Sequence, residues 1–369
     1  MKVAIVHDHL AQDGGAERVL RVLRQMYPQA PIFTLVYNRK HAHPDFQRAD
    51  IRTSFIQRWP GGNRWYQWYL GWMPTAVERF DLRGYNLVIS SCASFAKGVI
   101  TQPETLHVCY LHSPTRYLWN DTISYVDSLS YPRLVKAVVP HVLNRIRLWD
   151  RLAADRVDEF VVNSRFVAQR LEKYYHRPST VIHPPVDVDK FKITSTVGNY
   201  YLTGGRLVSY KRFDLAVEAF NHLGIPLKIY GTGPDLKALK ARAKPHIEFL
   251  GRIPDHQLNE LYGRAIAFIN PQVEDFGITA VESMATGRPV IAYAAGGALE
   301  TVKPGTTGVL FPDQDWEALA DAVVRFHPEQ FNPLAVRAWA ETFSTERFTQ
   351  TMRQYVNRVY NDYHRKLAS

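Results

Sequence analysis

Residues 267–292 read AFINPQVEDFGITAVESMATGRPVIA, and this stretch decides the fold. Ala267–Ile269 is a short apolar run of strand type, and Val290–Ala292 is another. Between them a polar loop opens a helical pattern that closes at Gly287, ahead of Pro289. Apolar runs separated by one helix-length segment are what parallel strands with a crossover helix look like in sequence. The alternation continues upstream. Tyr200–Thr203 leads through Gly204-Gly205 to a helix from Arg212 to Leu223. Leu227–Tyr230 leads through Gly231 and Gly233 to a helix over Leu236–Ala243, and Ile247–Leu250 adds a further strand.

The first half repeats the pattern. Lys2–Val6 runs into Gly14-Gly15 and a helix over Ala16–Met26. Leu87–Ser90, Leu106–Leu111 and Glu159–Val162 read as strands, with an arginine-rich helix over Val142–Val157 and another from near Ser164. His183-Pro184-Pro185-Val186-Asp187 interrupts the alternation, because paired prolines continue neither a strand nor a helix. Domains are therefore expected at 1–185 and 186–345. A final helix over 346–369 carries Phe348, Met352, Tyr355, Val359 and Tyr363 on one face and is expected to dock back across the domains. The fold class is α/β. In such open sheets ligands lie beyond the carboxyl ends of the strands, which here implies a cleft between the two layers.

Composition supports a folded protein. Of 369 residues 46% are hydrophobic and 22% charged, and no apolar run reaches the roughly 18 to 20 residues of a spanning helix. The opening MKVAIVHDHL enters a strand pattern directly, so no leader is expected. Cys92 and Cys109 both sit in apolar runs and form neither a disulfide framework nor a metal cluster, which points to the cytoplasm. The net charge of +10 is uneven. Residues 1–190 hold 25 Lys and Arg against 17 Asp and Glu, and residues 191–369 hold 20 against 18. A basic first half suits an anionic membrane surface, a phosphorylated acceptor or nucleic acid, or is an ordinary arginine-rich surface.

Chemistry concentrates in four places. Glu274 and Glu282 bracket a helix start at which Phe276, Gly277 and Ile278 can turn backbone N–H groups toward a phosphate or sugar hydroxyl. Arg206 and Lys211 flank the loop after Gly204-Gly205, as a departing diphosphate requires. Gly14-Gly15-Ala16-Glu17 follows the first strand but lacks the dinucleotide fingerprint, which excludes a dehydrogenase. His112, in His112-Ser113-Pro114-Thr115-Arg116, stands at the end of a buried strand. Asp187-Val188-Asp189 and His7-Asp8-His9 imitate metal motifs, but the first lies in the hinge and the second lacks a third ligand, so no metal is assigned. Between Phe55 and Phe80, Trp59, Trp65, Tyr66, Trp68, Tyr69 and Trp72 interleave with Arg58, Arg64 and Arg79. That mixture suits a membrane interface, a lipid-linked acceptor, single-stranded nucleic acid or a packed aromatic core.

Taken together, these motifs resemble retaining glycosyltransferases of family 4. The likeness is carried by Gly14–Glu17, Phe80-Asp81-Leu82 with Val88–Ser91, Tyr110–Arg116 and His183–Asp187. It continues through Gly205-Arg206-Leu207 with Lys211, Glu274–Ile278, Glu282 and Gly296–Val302. It implies the GT-B architecture of two facing Rossmann-like domains with a deep cleft and a C-terminal helix crossing back to the first domain. Glu274–Ile278 and His112–Arg116 most resemble bacterial mannosyltransferases that use GDP-mannose and extend lipid-linked polysaccharides. On this resemblance Arg206 and Lys211 hold the donor diphosphate, Glu282 meets the ribose, and Glu274 meets the sugar hydroxyls beside Phe276, Gly277 and Ile278. Gly15 packs against the diphosphate or acceptor, and His112 meets the transferred sugar. The family reacts on one face of the sugar with a donor phosphate oxygen taking the acceptor proton, so neither a carboxylate nucleophile nor a metal is implied, and no cofactor beyond the donor. Asn86 and His9 depart from residues common in the family.

Other readings stay within view. UDP-glucose, UDP-galactose or GDP-fucose could serve the same scaffold. A nucleotide-sugar epimerase would want acid–base carboxylates that the first half does not offer, and a binding-only relative would have lost Arg206, Lys211 or Glu274. Nucleic-acid binding rests on charge and aromatics alone. The expected partners are a nucleotide-sugar donor, a saccharide or lipid-linked acceptor, and an anionic membrane contacted peripherally from the cytoplasmic side.

Overall fold

The computed structural model describes residues 1–123, 126, 132–194 and 196–368. The chain divides into two compact units, Met1–His183 with Thr349–Ser369, and Pro184–Phe348.

The first unit is built on seven strands: β1 (Val3–His7), β2 (Ile32–Thr34), β3 (Ile51–Thr53), β4 (Leu87–Cys92), β5 (Leu106–Leu111), β6 (Glu159–Val162) and β7 (Thr180–Val181). Their spatial order is β3-β2-β1-β4-β5-β6-β7, with every pairing parallel. β1, β4 and β5 are buried along their whole length, which is why they read as near-continuous apolar runs rather than alternating ones. β2, β3 and β7 were not legible in the sequence, being only two or three residues long and at or near the sheet edges.

The second unit repeats the plan with six strands: β8 (Tyr201–Gly204), β9 (Leu227–Tyr230), β10 (Ile247–Gly251), β11 (Phe268–Asn270), β12 (Val290–Tyr293) and β13 (Gly308–Phe311). The order β10-β9-β8-β11-β12-β13 is again all parallel. Both sheets follow the dinucleotide-fold order, in which the chain winds outward one way from the first strand and then returns to wind the other way. The reversal leaves a crevice at the carboxyl ends of β1 and β4 in one unit and of β8 and β11 in the other.

Each unit closes over its own apolar core. The arginine-rich helix of the first unit is longer than its sequence pattern, running Arg133–Asp155. The last helix spans Thr345–Ala368 and buries Phe348, Met352, Tyr355 and Val359, with Tyr363 half-buried. Within the first unit the Tyr355 hydroxyl donates to Glu159 at 2.8 Å and the Tyr363 hydroxyl to the Pro103 carbonyl at 2.7 Å. No described helix is long and apolar enough to cross a membrane. Cys92 and Cys109 are free thiols in the core.

Candidate active site

In the second unit the crevice between β8 and β11 gathers the residues that the sequence marks for donor chemistry. Beyond β8, Gly204-Gly205 turns the chain so that Arg206 is exposed and Lys211 half-buried. Beyond β11, residues 271–277 lead to the helix Ile278–Ala285. Lys211 Nζ lies 2.9 Å from Glu274 Oε1, and Gln272 Nε2 donates to the same oxygen at 3.1 Å. Gly277 starts the helix at φ 97°, a left-handed conformation that a side chain resists. Phe276 is buried edge-on against Phe343, and Ile278 is half-buried. These two side chains hold the loop at the helix start, where the Ala280 N–H already donates to the Gly277 carbonyl at 3.1 Å.

Glu282 lies deeper in the same helix, 4% exposed, and accepts a hydrogen bond from the Tyr262 hydroxyl at 3.1 Å. Tyr262 also shares a hydroxyl contact with Tyr230, at the end of β9. Gly231 follows directly. A Cβ there would come within 1.8 Å of the Gly205 carbonyl oxygen, so only glycine lets the β9 turn lie on the β8 turn. Gln272, Tyr230 and Tyr262 carried no sequence signal, because their roles depend on contacts between distant segments.

The corresponding crevice of the first unit holds a buried polar chain. Strand register sets His7 opposite Ser91. His7 Nδ1 lies 3.1 Å from both the Ser91 carbonyl oxygen and Oγ, and Ser91 Oγ lies 2.8 Å from His112 Nε2. On the other side, His7 Nε2 is 3.8 Å from Glu17, whose carboxylate also accepts the Gly14 N–H at 2.9 Å. Gly15 is the first residue of the helix that carries Glu17. Burial opposes ionisation of Glu17, but the facing His7 outweighs it and holds the carboxyl below its ordinary range. Burial, reinforced by the nearby His7, pushes His112 down to about 4, against the opposing pull of Asp8 and Glu17.

Asp8 is not a metal ligand in waiting. Its two oxygens accept the backbone N–H groups of Ala93, Ser94, Phe95 and Ala96, at 2.5 to 2.9 Å. Burial alone would raise its pKa; His7 and these donors bring it below the ordinary value. Among the described residues, no group of three His, Cys, Asp or Glu side chains could hold a metal ion. A buried cluster anchors the segment that follows His112. Asp150 accepts from Lys97, from Thr115 at 3.0 Å, from Trp119 at 2.8 Å and from Tyr175 at 2.6 Å.

The aromatic stretch 55–80 divides in two. Phe55, Tyr66, Tyr69 and Phe80 pack against the core of the first unit, and Trp59 stacks edge-on with Tyr69. Trp65, Trp68 and Trp72 are instead 55%, 62% and 55% exposed.

Two family models cover nearly the whole chain: Glycosyltransferase Family 4 matches residues 13–190, and Glycosyl transferases group 1 matches residues 187–337. The chain belongs to glycosyltransferase family 4. Its two parallel sheets are those of the GT-B fold. This glycosyltransferase is 26% identical to an alpha-1,3/1,6-mannosyltransferase of Rhizomucor pusillus, over 90% of the chain and 85% of that protein. It is 30% identical to a GDP-mannose-dependent alpha-(1-6)-phosphatidylinositol monomannoside mannosyltransferase of Mycolicibacterium smegmatis, over 43% of the chain and 50% of that protein. Coverage thus varies among the curated relatives, and one is matched over only 20% of its length. The solved structure of Anabaena HepE in complex with UDP shares the fold, with a TM-score of 0.72 at 17% identity over 97% of the chain and 100% of that structure.

Proposed function

We propose that this glycosyltransferase is a retaining mannosyltransferase that moves mannose from GDP-mannose to a saccharide or lipid-linked saccharide, without a metal. The observation that carries the reading is the Lys211–Glu274 pair, 2.9 Å apart beside a helix start at Gly277. Lys211 and Arg206 supply positive charge for a departing diphosphate, in the role a metal takes elsewhere. Glu274 accepts from sugar hydroxyls, and Glu282, steadied by Tyr262, accepts from the ribose. His112 meets the transferred sugar, and a donor phosphate oxygen takes the acceptor proton. Mannose is favoured by the names of two relatives, the Rhizomucor enzyme and the GDP-mannose-dependent Mycolicibacterium enzyme.

A uridine donor is the second reading, favoured by the UDP in the HepE complex. Incubating the protein with GDP-mannose or UDP-glucose in EDTA and following release of GDP or UDP separates the two. GDP release from GDP-mannose supports the first, UDP release from UDP-glucose the second, and neither removes both. Membrane contact belongs to the same proposal: Trp65, Trp68 and Trp72, in a first half rich in arginine, suit the headgroup layer of an anionic bilayer on the cytoplasmic side.

A further inference from the structure

The polar chain Glu17–His7–Ser91–His112 has a direction. His7 Nδ1 is 3.1 Å from the Ser91 carbonyl oxygen, and a carbonyl oxygen only accepts, so Nδ1 carries a proton and donates. That donation also reaches Ser91 Oγ. Ser91 Oγ has two lone pairs, but Ser91 is fully buried and its one hydroxyl proton has no other acceptor among the described residues, so that proton goes to His112 Nε2 at 2.8 Å. A ring nitrogen that accepts holds no proton, so a neutral His112 keeps its proton on Nδ1. The reverse order would have the Ser91 hydroxyl donate to His7 Nδ1. It would leave that bare nitrogen against the Ser91 carbonyl, two lone pairs facing each other.

Each member of the chain is held independently. The β1–β4 pairing sets His7 against Ser91, and the Gly14 N–H holds Glu17. His112 donates its backbone N–H to the Cys92 carbonyl at 2.8 Å, and Asn163 donates to the His112 carbonyl at 2.8 Å. These bonds hold the His112 backbone on both sides, and the ring itself lies against Tyr110 with centroids 5.3 Å apart.

We infer that Ser91, oriented by His7 and Glu17, is a positioning residue that fixes His112 as the Nδ1–H tautomer, so that His112 meets the sugar as a hydrogen-bond donor through Nδ1. The sugar-contacting role of His112 is taken from the proposed function; the tautomer is not. A sugar hydroxyl facing Nδ1–H accepts from it and directs its own proton elsewhere. A bare nitrogen would instead accept from that hydroxyl.

The test is a two-bond proton–nitrogen correlation spectrum of the full chain labelled with 15N-histidine at pH 7, the His112 signals being assigned by their loss in His112→Asn. The expected spectrum has His112 protonated at Nδ1 and bare at Nε2. In Ser91→Ala an Nε2–H population appears, and metal-free hydrolysis of GDP-mannose slows roughly ten- to hundredfold, the scale of losing an orienting partner. GDP affinity is unchanged, and Ser91→Thr, which keeps the hydroxyl, restores both tautomer and rate. Nε2–H in the wild-type spectrum overturns the inference, as does a tautomer unmoved by Ser91→Ala. The wild-type spectrum decides even where a variant does not fold. Because it needs no substrate, a correct tautomer with no GDP-mannose turnover rejects the donor reading alone.

Discussion

Lys211 Nζ and Glu274 Oε1 stand 2.9 Å apart at the carboxyl ends of two strands that are neighbours in space, while β9 and β10 intervene in the chain. The pair is mostly but not fully buried, with 14% and 18% of the two side chains exposed, so a ligand can reach it and water screens it. Its worth to folding is therefore about 1 kcal/mol or less. Its worth to a bound diphosphate is larger, because a charge-assisted hydrogen bond contributes about 1.5–3 kcal/mol. Lys211→Ala is expected to weaken GDP binding by roughly ten- to hundredfold while the melting temperature moves little. Calorimetric titration beside a melt checks both, and a collapsed fold in this variant would make the pair structural instead.

Asp8 gives the first unit a single point of failure. Asp8→Ala leaves four backbone N–H groups, those of Ala93 to Ala96, without their acceptor, and those of Phe95 and Ala96 are buried. Each buried unsatisfied group costs about 1–3 kcal/mol, so the variant is expected to lose at least about 2 kcal/mol in urea unfolding. Asp8→Asn turns an amide donor toward some of the same donors and should fare little better. A loss below about 1 kcal/mol would show that the turn finds other partners.

Acid sensitivity follows from two buried histidines. His112 is pushed down to about 4 and His107, fully buried against Ser90, to about 3, from an ordinary value of 6.5. A depressed histidine pKa means that the unfolded chain binds protons first as pH falls. The stability these groups contribute is thus complete above about 6.5 and is lost as pH drops through the folded values near 4 and 3. Unfolding free energy measured between pH 7 and 4 should fall, and less steeply in His107→Gln. An equal slope in that variant assigns the acid loss to other groups.

Exposure of the three tryptophans predicts a separation of functions. The triple change of Trp65, Trp68 and Trp72 to Ala should abolish flotation with anionic vesicles at low salt and leave the GDP-induced melt shift intact. Flotation that persists places membrane contact elsewhere, and loss of both effects would mean that these side chains support the fold.

Much of this was legible from residue order. Strands buried on both faces announce themselves as apolar runs, and the glycines of the β8, β9 and β11 turns mark the crevice. Short edge strands such as Ile51–Thr53 hold too few residues to show a period. Lys211 and Glu274 were each marked by local context, but their contact depends on β8 lying beside β11, which only the sheet order reveals. Glu17 had a readable signal in its place three residues after the helix-capping Gly14. Ser91 was marked only as part of the Val88–Ser91 stretch, with no role attached, and Gln272 and Tyr262 had no signal: a serine inside a strand or a buried tyrosine on a helix looks like packing until its partner is known.

Thermal unfolding in EDTA with GDP, UDP or ADP tests the central claim most directly. At about 100 times its dissociation constant a site-specific nucleotide adds about 2.7 kcal/mol. The account predicts a shift selective for GDP, smaller in Glu282→Ala and nearly absent in Arg206→Ala. A shift with UDP or ADP alone would contradict the guanosine donor, and no shift with any of the three would contradict a metal-free nucleotide site in the second unit.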